Sequence, residues 1–157
     1  MISKQEIAEA QKVWAEGIVQ IGKAKDQGEQ HQLVAKEFLQ RNYAFDTNSG
    51  CLFKPTKASQ FPFRNDLKSA LSYFVGNDSD FTEDSGFALQ PWTNVEFKNS
   101  GYQLFEDNAI VMGEYVFTAK SGEKVKVEYT FGYIKSDLGS LKINLHHSSI
   151  PFSPSVS

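Results

Sequence analysis

From Ile7 onward, apolar residues recur every three or four positions: Ile7, Ala10, Trp14, Ile18 and Ile21. That period predicts an amphipathic helix of about five turns. Ser3-Lys4-Gln5-Glu6 forms a capping box at its start, and Gly22 and Gly28 mark its end. A second helix is predicted over 28–42, with Val34, Phe38 and Leu33 inward. Cys51-Leu52-Phe53 reads as a short strand stopped by Pro55. Leu67, Ala70, Leu71 and Phe74 predict a short helix over 64–74, ended by Gly76.

Beyond a polar, acidic loop at 77–84 the period changes to two. Strands are predicted over 87–97, 102–105, 110–119, 124–134 and 141–147. Turn signals separate them: Asn99-Ser100-Gly101, Asp107-Asn108, Ser121-Gly122 and Asp137-Leu138-Gly139. The last three strands are joined by short turns and predict an antiparallel meander. Helices followed by strands imply an α+β fold, with the N-terminal helices packed on a strongly curved antiparallel sheet that forms a cone. Residues 1–157 are expected to be a single domain, with 152–157 a flexible tail.

Composition narrows the function. Thirteen phenylalanines can fill a large core, and the net charge of −3 with mixed signs leaves no electrostatic footprint for nucleic acid. Cys51 is the sole cysteine, so no internal disulfide is available. No signal-like h-region opens the chain and no apolar run reaches membrane-spanning length. A soluble, cytoplasmic protein with no membrane partner is expected.

The strand over 141–147 carries the candidate chemistry. Leu141, Ile143 and Leu145 alternate with Lys142 and Asn144, and His146-His147-Ser148-Ser149 follows. If the alternation runs unbroken, His147 and Ser149 share the apolar face with Leu145, while His146 and Ser148 point the other way. An imidazole and a hydroxyl at the end of an apolar face suit the polar end of a pocket. They suit a hydrogen-bonded part of the core equally well. Tyr129, Phe131 and Tyr133 share one face of their strand, and with Trp92 they are candidate aromatic walls for a small substrate.

Other site types find little support. Zinc takes three or four Cys, His or acidic ligands, and adjacent histidines project to opposite sheet faces. Asp80, Glu83 and Asp84 form an acidic cluster that reads first as a solvated surface, with an oxygen site for magnesium or manganese as the alternative. There is no Gly-x-Ser-x-Gly elbow and no phosphate-binding glycine loop.

Several short motifs, taken in order, resemble a known family. Leu52-Phe53-Lys54-Pro55-Thr56 resembles an "LFKPT" element. Phe63-Arg64 and Ser72-Tyr73-Phe74-Val75-Gly76 resemble "FR" and "YFVGG", with Asn77 where the second glycine is usual. Gly86-Phe87-Ala88 with Pro91-Trp92 resembles "GFA…PW". Met112-Gly113 with Tyr115, then 127–133 and 145–151, complete the set. Together they are similar to the iota-class carbonic anhydrases. That domain resembles the association domain of calcium/calmodulin-dependent kinase II, within the nuclear transport factor 2-like fold.

The resemblance implies reversible hydration of carbon dioxide to bicarbonate. Some members work without a metal, while manganese has been linked to others. It implies no cofactor here, and a pocket lined by Thr56, Tyr73 and either Ser148 or Ser149, of which strand alternation favours Ser149. His147 is then the expected proton acceptor or relay. The family's association habit, with Val95, Val116 and Val125 expected on the outer sheet face, predicts a homodimer. The alternative is a non-catalytic module of the same fold, for oligomerisation or for binding a small acid.

Overall fold

The computed structural model describes residues 1–154. Three helices lie against one five-stranded sheet, in the order β1-β5-β4-β3-β2. The helices are α1 (Lys4–Asp26), α2 (His31–Asn42) and α3 (Leu67–Val75); the strands are β1 (Leu52–Lys54), β2 (Trp92–Leu104), β3 (Asn108–Ala119), β4 (Lys124–Lys135) and β5 (Leu141–Ser149). This is the expected α+β arrangement, with one correction: β1 runs parallel to β5, so the sheet is mixed. The tail expected over 152–157 lies partly outside the described residues.

The α1 capping box is formed, with the Ser3 hydroxyl accepting the Glu6 amide and the Glu6 carboxylate accepting the Ser3 amide, both at 3.1 Å. The face of α1 carrying Ile7, Trp14, Ile18 and Ile21 is buried. Each of these large side chains gains about 1.5–3 kcal/mol from leaving water. In α2 the inward residues are Phe38 and Leu39, while Leu33 is exposed. Asp66 caps α3 through the Ser69 amide at 2.8 Å. Asn77, at the position where the family motif has glycine, adopts φ +60°. Asparagine is among the few residues that tolerate the left-handed region.

The strand map departs from expectation in two places. Residues 87–89 form a single 3-10 turn before β2 begins at Trp92. The Asn99-Ser100-Gly101 signal marks a bulge inside one long strand, where the register with β3 shifts between Asn99 and Gly101. Val95 is buried, and Val125 pairs with the inward Phe117, so of the three valines only Val116 lies on the outer face.

A second bulge decides the site. Gly132 of β4 pairs with Leu145 and Tyr133 pairs with Ile143, which leaves Asn144 as an extra residue in β5. One extra residue reverses the parity of a strand. Ile143 points inward, and after the bulge so do His146 and Ser148, at 2 % and 1 % exposure. His147 is exposed and Ser149 is on the outer face. Gly132 makes the bulge possible: a Cβ there would lie 2.6 Å from Asn144 Oδ1 and 2.9 Å from Leu145 Cβ.

The segment between β1 and α3 is held by charge. Arg64 is fully buried and bidentate to Asp84, with both contacts at 2.8 Å. It also donates to the carbonyls of Phe61 and Ser69. Asp84 accepts the Ser72 hydroxyl, one residue before Tyr73. Glu83 accepts the amides of Ser59, Gln60 and Phe61. The acidic cluster is therefore a clamp that ties residues 59–64 to α3, with Lys68 pairing Asp78 and Asp80 outside it.

Two tests follow from these constraints. Gly132→Ala should cost about 1–3 kcal/mol by overpacking the bulge, read as a lower denaturant midpoint. Hydrogen bonds from the amides of Ser59, Phe61 and Gln60 hold the Glu83 carboxyl at about 2 rather than the ordinary 4.5. A carboxyl depressed by folding contributes stability above its unfolded value and loses it as pH falls through the folded one. The unfolding midpoint should therefore decline between pH 4.5 and about 2, and Glu83→Gln should flatten that decline.

Candidate active site

Inside the bend between β1, α3 and β5 lies a narrow cavity of about 10 Å³, about the room that the centre of one water molecule needs. Its apolar walls are Trp14, Phe53, Pro55, Phe74 and Phe87. Its polar groups are Thr56, Tyr73, Tyr115, His146 and Ser148. The fold thus brings Thr56, Tyr73 and Ser148 together, although Ser148 lies 92 positions after Thr56 in the chain.

Tyr73 sits near the C-terminal end of α3, and its hydroxyl accepts the Lys57 amide at 3.2 Å and a hydrogen bond from Thr56. With its oxygen so occupied, the Tyr73 proton is free to face the cavity. Burial pushes the phenols of Tyr73 and Tyr115 well above their ordinary value. Both therefore remain protonated donors at neutral pH. Tyr73 and Phe87 also line a second recess of about 50 Å³, with Lys57, Glu83, Asp84 and Gln90 around it. They form the wall between the two spaces.

His146 is the centre of the polar group. Its ring is stacked between Phe131, 4.2 Å between centroids, and Phe53, 4.8 Å. Nδ1 lies 2.7 Å from the Tyr43 hydroxyl. Nε2 lies 3.0 Å from the Tyr115 hydroxyl and 2.9 Å from Ser148 Oγ. Tyr115 and Ser148 are hydrogen-bonded to each other. Trp14 Nε1 donates to the Tyr43 hydroxyl at 3.0 Å. Burial, with the neighbouring His147 as a second cause, holds the imidazole far below its ordinary range, so His146 is neutral.

Several expected positions are corrected by this geometry. His147 and Ser149 line a broad groove of about 710 Å³ on the outer sheet face, with Glu114, Glu128, Tyr129 and Thr130. The bulge at Asn144 is the physical reason. None of the four expected aromatic walls lines the cavity. Phe131 supports the His146 ring from behind. Trp92 packs on Phe87 and Phe117 and donates to the Phe87 carbonyl. Tyr129 bonds Asn99, and Tyr133 has a buried hydroxyl without a partner among the described residues. The walls come instead from α1, β1 and α3, whose approach to β5 is non-local.

Trp14 reads as part of the α1 stripe and Tyr115 as part of a family motif, and no local pattern marks either of them, or Tyr43, for the cavity. The interior glycine at 132 was the available signal, because glycine inside a strand marks a bulge or close approach. As to metals, no group of three or more His, Cys, Asp or Glu side chains is gathered among the described residues. Cys51 is buried, and desolvation pushes its thiol up to about 12, which leaves it an inert part of the core. No helix among the described residues is long and apolar enough to cross a membrane.

Comparison with known proteins shows the family. A curated relative from Nostoc sp. (strain PCC 7120), a metal-independent carbonic anhydrase, is 38% identical over 154 residues, covering 96% of this chain and 75% of the relative. The crystal structure of a cyanobacterial iota-carbonic anhydrase complexed with bicarbonate superposes with a TM-score of 0.93 at 37% identity, covering 97% of this chain and 94% of that one. A calcium/calmodulin-dependent kinase II association domain from Xanthomonas campestris shares the fold at 22% identity, with a TM-score of 0.66 over 99% of this chain and 91% of that one. A nuclear transport factor 2-like protein from Salmonella enterica shares it at 13% identity and a TM-score of 0.59, over 98% and 94%. The family model for metal-independent carbonic anhydrase matches residues 5–150, and the chain belongs to that family.

Proposed function

We propose that this chain catalyses the reversible hydration of carbon dioxide to bicarbonate in the cavity bounded by Thr56, Tyr73, Tyr115 and Ser148. The observation that carries the reading is the convergence of neutral hydroxyl donors on a small space with aromatic walls. The cyanobacterial relative was solved with bicarbonate, the product of this reaction.

The chemistry asks for three things. Carbon dioxide is apolar, and Phe53, Phe74 and Phe87 offer it a desolvated wall. A cavity with room for one water must open to admit it, and Tyr73 with Phe87 is the partition that would part. The attacking water is held by Thr56 and Tyr73. As its oxygen bonds to carbon, one carbonyl π pair moves onto oxygen, where charge develops. The Tyr115–Ser148 pair meets that oxygen as a donor, in a site that excludes water and so strengthens the contact. The water gives up its proton to solvent when the partition of Tyr73 and Phe87 parts. Carbon dioxide and water become bicarbonate and one proton. His147 has no part in this route, because it faces the other side of the sheet.

The proposal extends to assembly and location. The outer groove with Met112, Glu114, Glu128 and His147 is the face on which a second copy would pair, giving a homodimer. Met112 is 58% exposed there, although scattered apolar surface is normal for monomers too. A cytoplasmic setting suits a chain whose single cysteine is buried and free.

Tyr73→Phe and Ser148→Ala should each lower turnover in carbon dioxide hydration roughly 10- to 1000-fold, bracketing the loss of one oxyanion donor. His147→Ala and Ser149→Ala should stay within a few-fold of the parent. Dialysis against a strong chelator should leave the rate unchanged. Equal activity in Tyr73→Phe, Ser148→Ala and the parent would defeat the mechanism. A molar mass that stays monomeric across concentrations, measured by sedimentation, would defeat the dimer.

A further inference from the structure

We infer that Trp14 is a positioning residue that fixes His146 in the tautomer protonated at Nε2, and so leaves one hydroxyl proton of the Tyr115–Ser148 pair free for a substrate oxygen. The inference rests on the carbonic anhydrase reading for what that proton does, but not for the tautomer itself.

The direction of the chain follows from counting donors. An indole N–H can only donate. Trp14 Nε1 therefore gives its proton to the Tyr43 oxygen. The other hydrogen-bond partner of that hydroxyl among the described residues is His146 Nδ1, at 2.7 Å. If Nδ1 carried hydrogen, it too would donate to Tyr43, and the Tyr43 proton, shut out of the side that the indole N–H occupies, would be buried with nothing to accept it. Tyr43 is fully buried, and an orphaned buried donor is strongly disfavoured. The Tyr43 proton must go to Nδ1, which is then unprotonated. The low basicity of the buried ring excludes the doubly protonated form, so the single imidazole hydrogen is on Nε2.

The consequence falls on the cavity. Tyr115 and Ser148 bring two hydroxyl protons, and one of them bonds the pair together. With hydrogen on Nε2, the imidazole donates into the pair and takes no proton from it. The second hydroxyl proton then points at the cavity that both residues line. In the other tautomer Nε2 would accept that second proton, and the pair would offer only lone pairs to a substrate oxygen. Trp14 thus sets whether this end of the site donates or accepts. The Phe53 and Phe131 rings on either face of His146 keep the imidazole in the plane where all three hydroxyls reach it.

The test is long-range ¹H–¹⁵N correlation spectroscopy of the full chain with labelled histidine, without substrate. His31→Ala and His147→Ala identify the His146 signals. The expected pattern is hydrogen on Nε2 and a bare Nδ1. Hydrogen on Nδ1, or on both nitrogens, overturns the inference. A second sample replaces Trp14 with β-(3-benzothienyl)alanine, which keeps the ring shape and exchanges the N–H for sulfur. A fraction of the Nδ1–H form should appear, and kcat should fall in step with the remaining Nε2–H fraction while KM holds. An unchanged tautomer and an unchanged kcat remove Trp14 from the role. A protein with the expected tautomer and no carbon dioxide hydration leaves the tautomer standing and refutes the carbonic anhydrase reading instead.

Discussion

A neutral imidazole buried between two aromatic rings can persist only if both its nitrogens are bonded, because an unpaired polar group in such surroundings is costly. His146 meets that condition with Tyr43 on one side and Tyr115 and Ser148 on the other. Those partners come from the end of α2, from β3 and from β5 itself, and Trp14 of α1 closes the set. Four elements are thereby held to one ring. The mutual placement of helices and sheet, and with it the shape of the cavity, depends on this requirement more than on any single apolar contact.

The bulge at Asn144 is what allows the requirement to be met. Without it, β5 would present His147 and Ser149 to the interior, and neither Tyr43 nor Tyr115 would find an imidazole at the right depth. Gly132 across the ladder makes the bulge sterically possible, since any side chain there would collide with Asn144 and Leu145. A missing Cβ on one strand thus chooses which histidine and which serine of the next strand enter the site. The polar lining of the cavity and the backbone geometry are coupled through Gly132 and Asn144, neither of which lines the cavity.

Much of this was legible in the sequence and some was not, for reasons that can be named. The α1 cap and stripe and the meander follow from local periodicity, while the meeting of Thr56 with Tyr73 at one cavity is implied only by the family resemblance. The periodic signals lie within a few residues of what they predict. The inward face of β5 did not follow, because alternation carries no mark of an inserted residue on the strand that holds it. Its trace is on the neighbouring strand, at Gly132. The shared face of Tyr129, Phe131 and Tyr133 points to the sheet for aromatic walls, yet the cavity lies where β1 and α3 close over it. The acidic loop read as a solvated surface, but Arg64 reaches back to bury Asp84 and to anchor Glu83.

That last clamp sets how the site responds to its surroundings. Ions in solution screen charges that water can reach, and they have little hold on a pair with none between its members. The Arg64 side chain is fully enclosed and that of Asp84 is 1% exposed. The wall carrying Tyr73 is therefore held by an attraction that the medium scarcely modulates. The exposed pairs around it, such as Lys68 with Asp80, weaken as salt rises. Ionic strength can thus loosen the outer loop while the Tyr73 hydroxyl keeps its place at the cavity wall, so the shape of the cavity is insensitive to the salt around the protein.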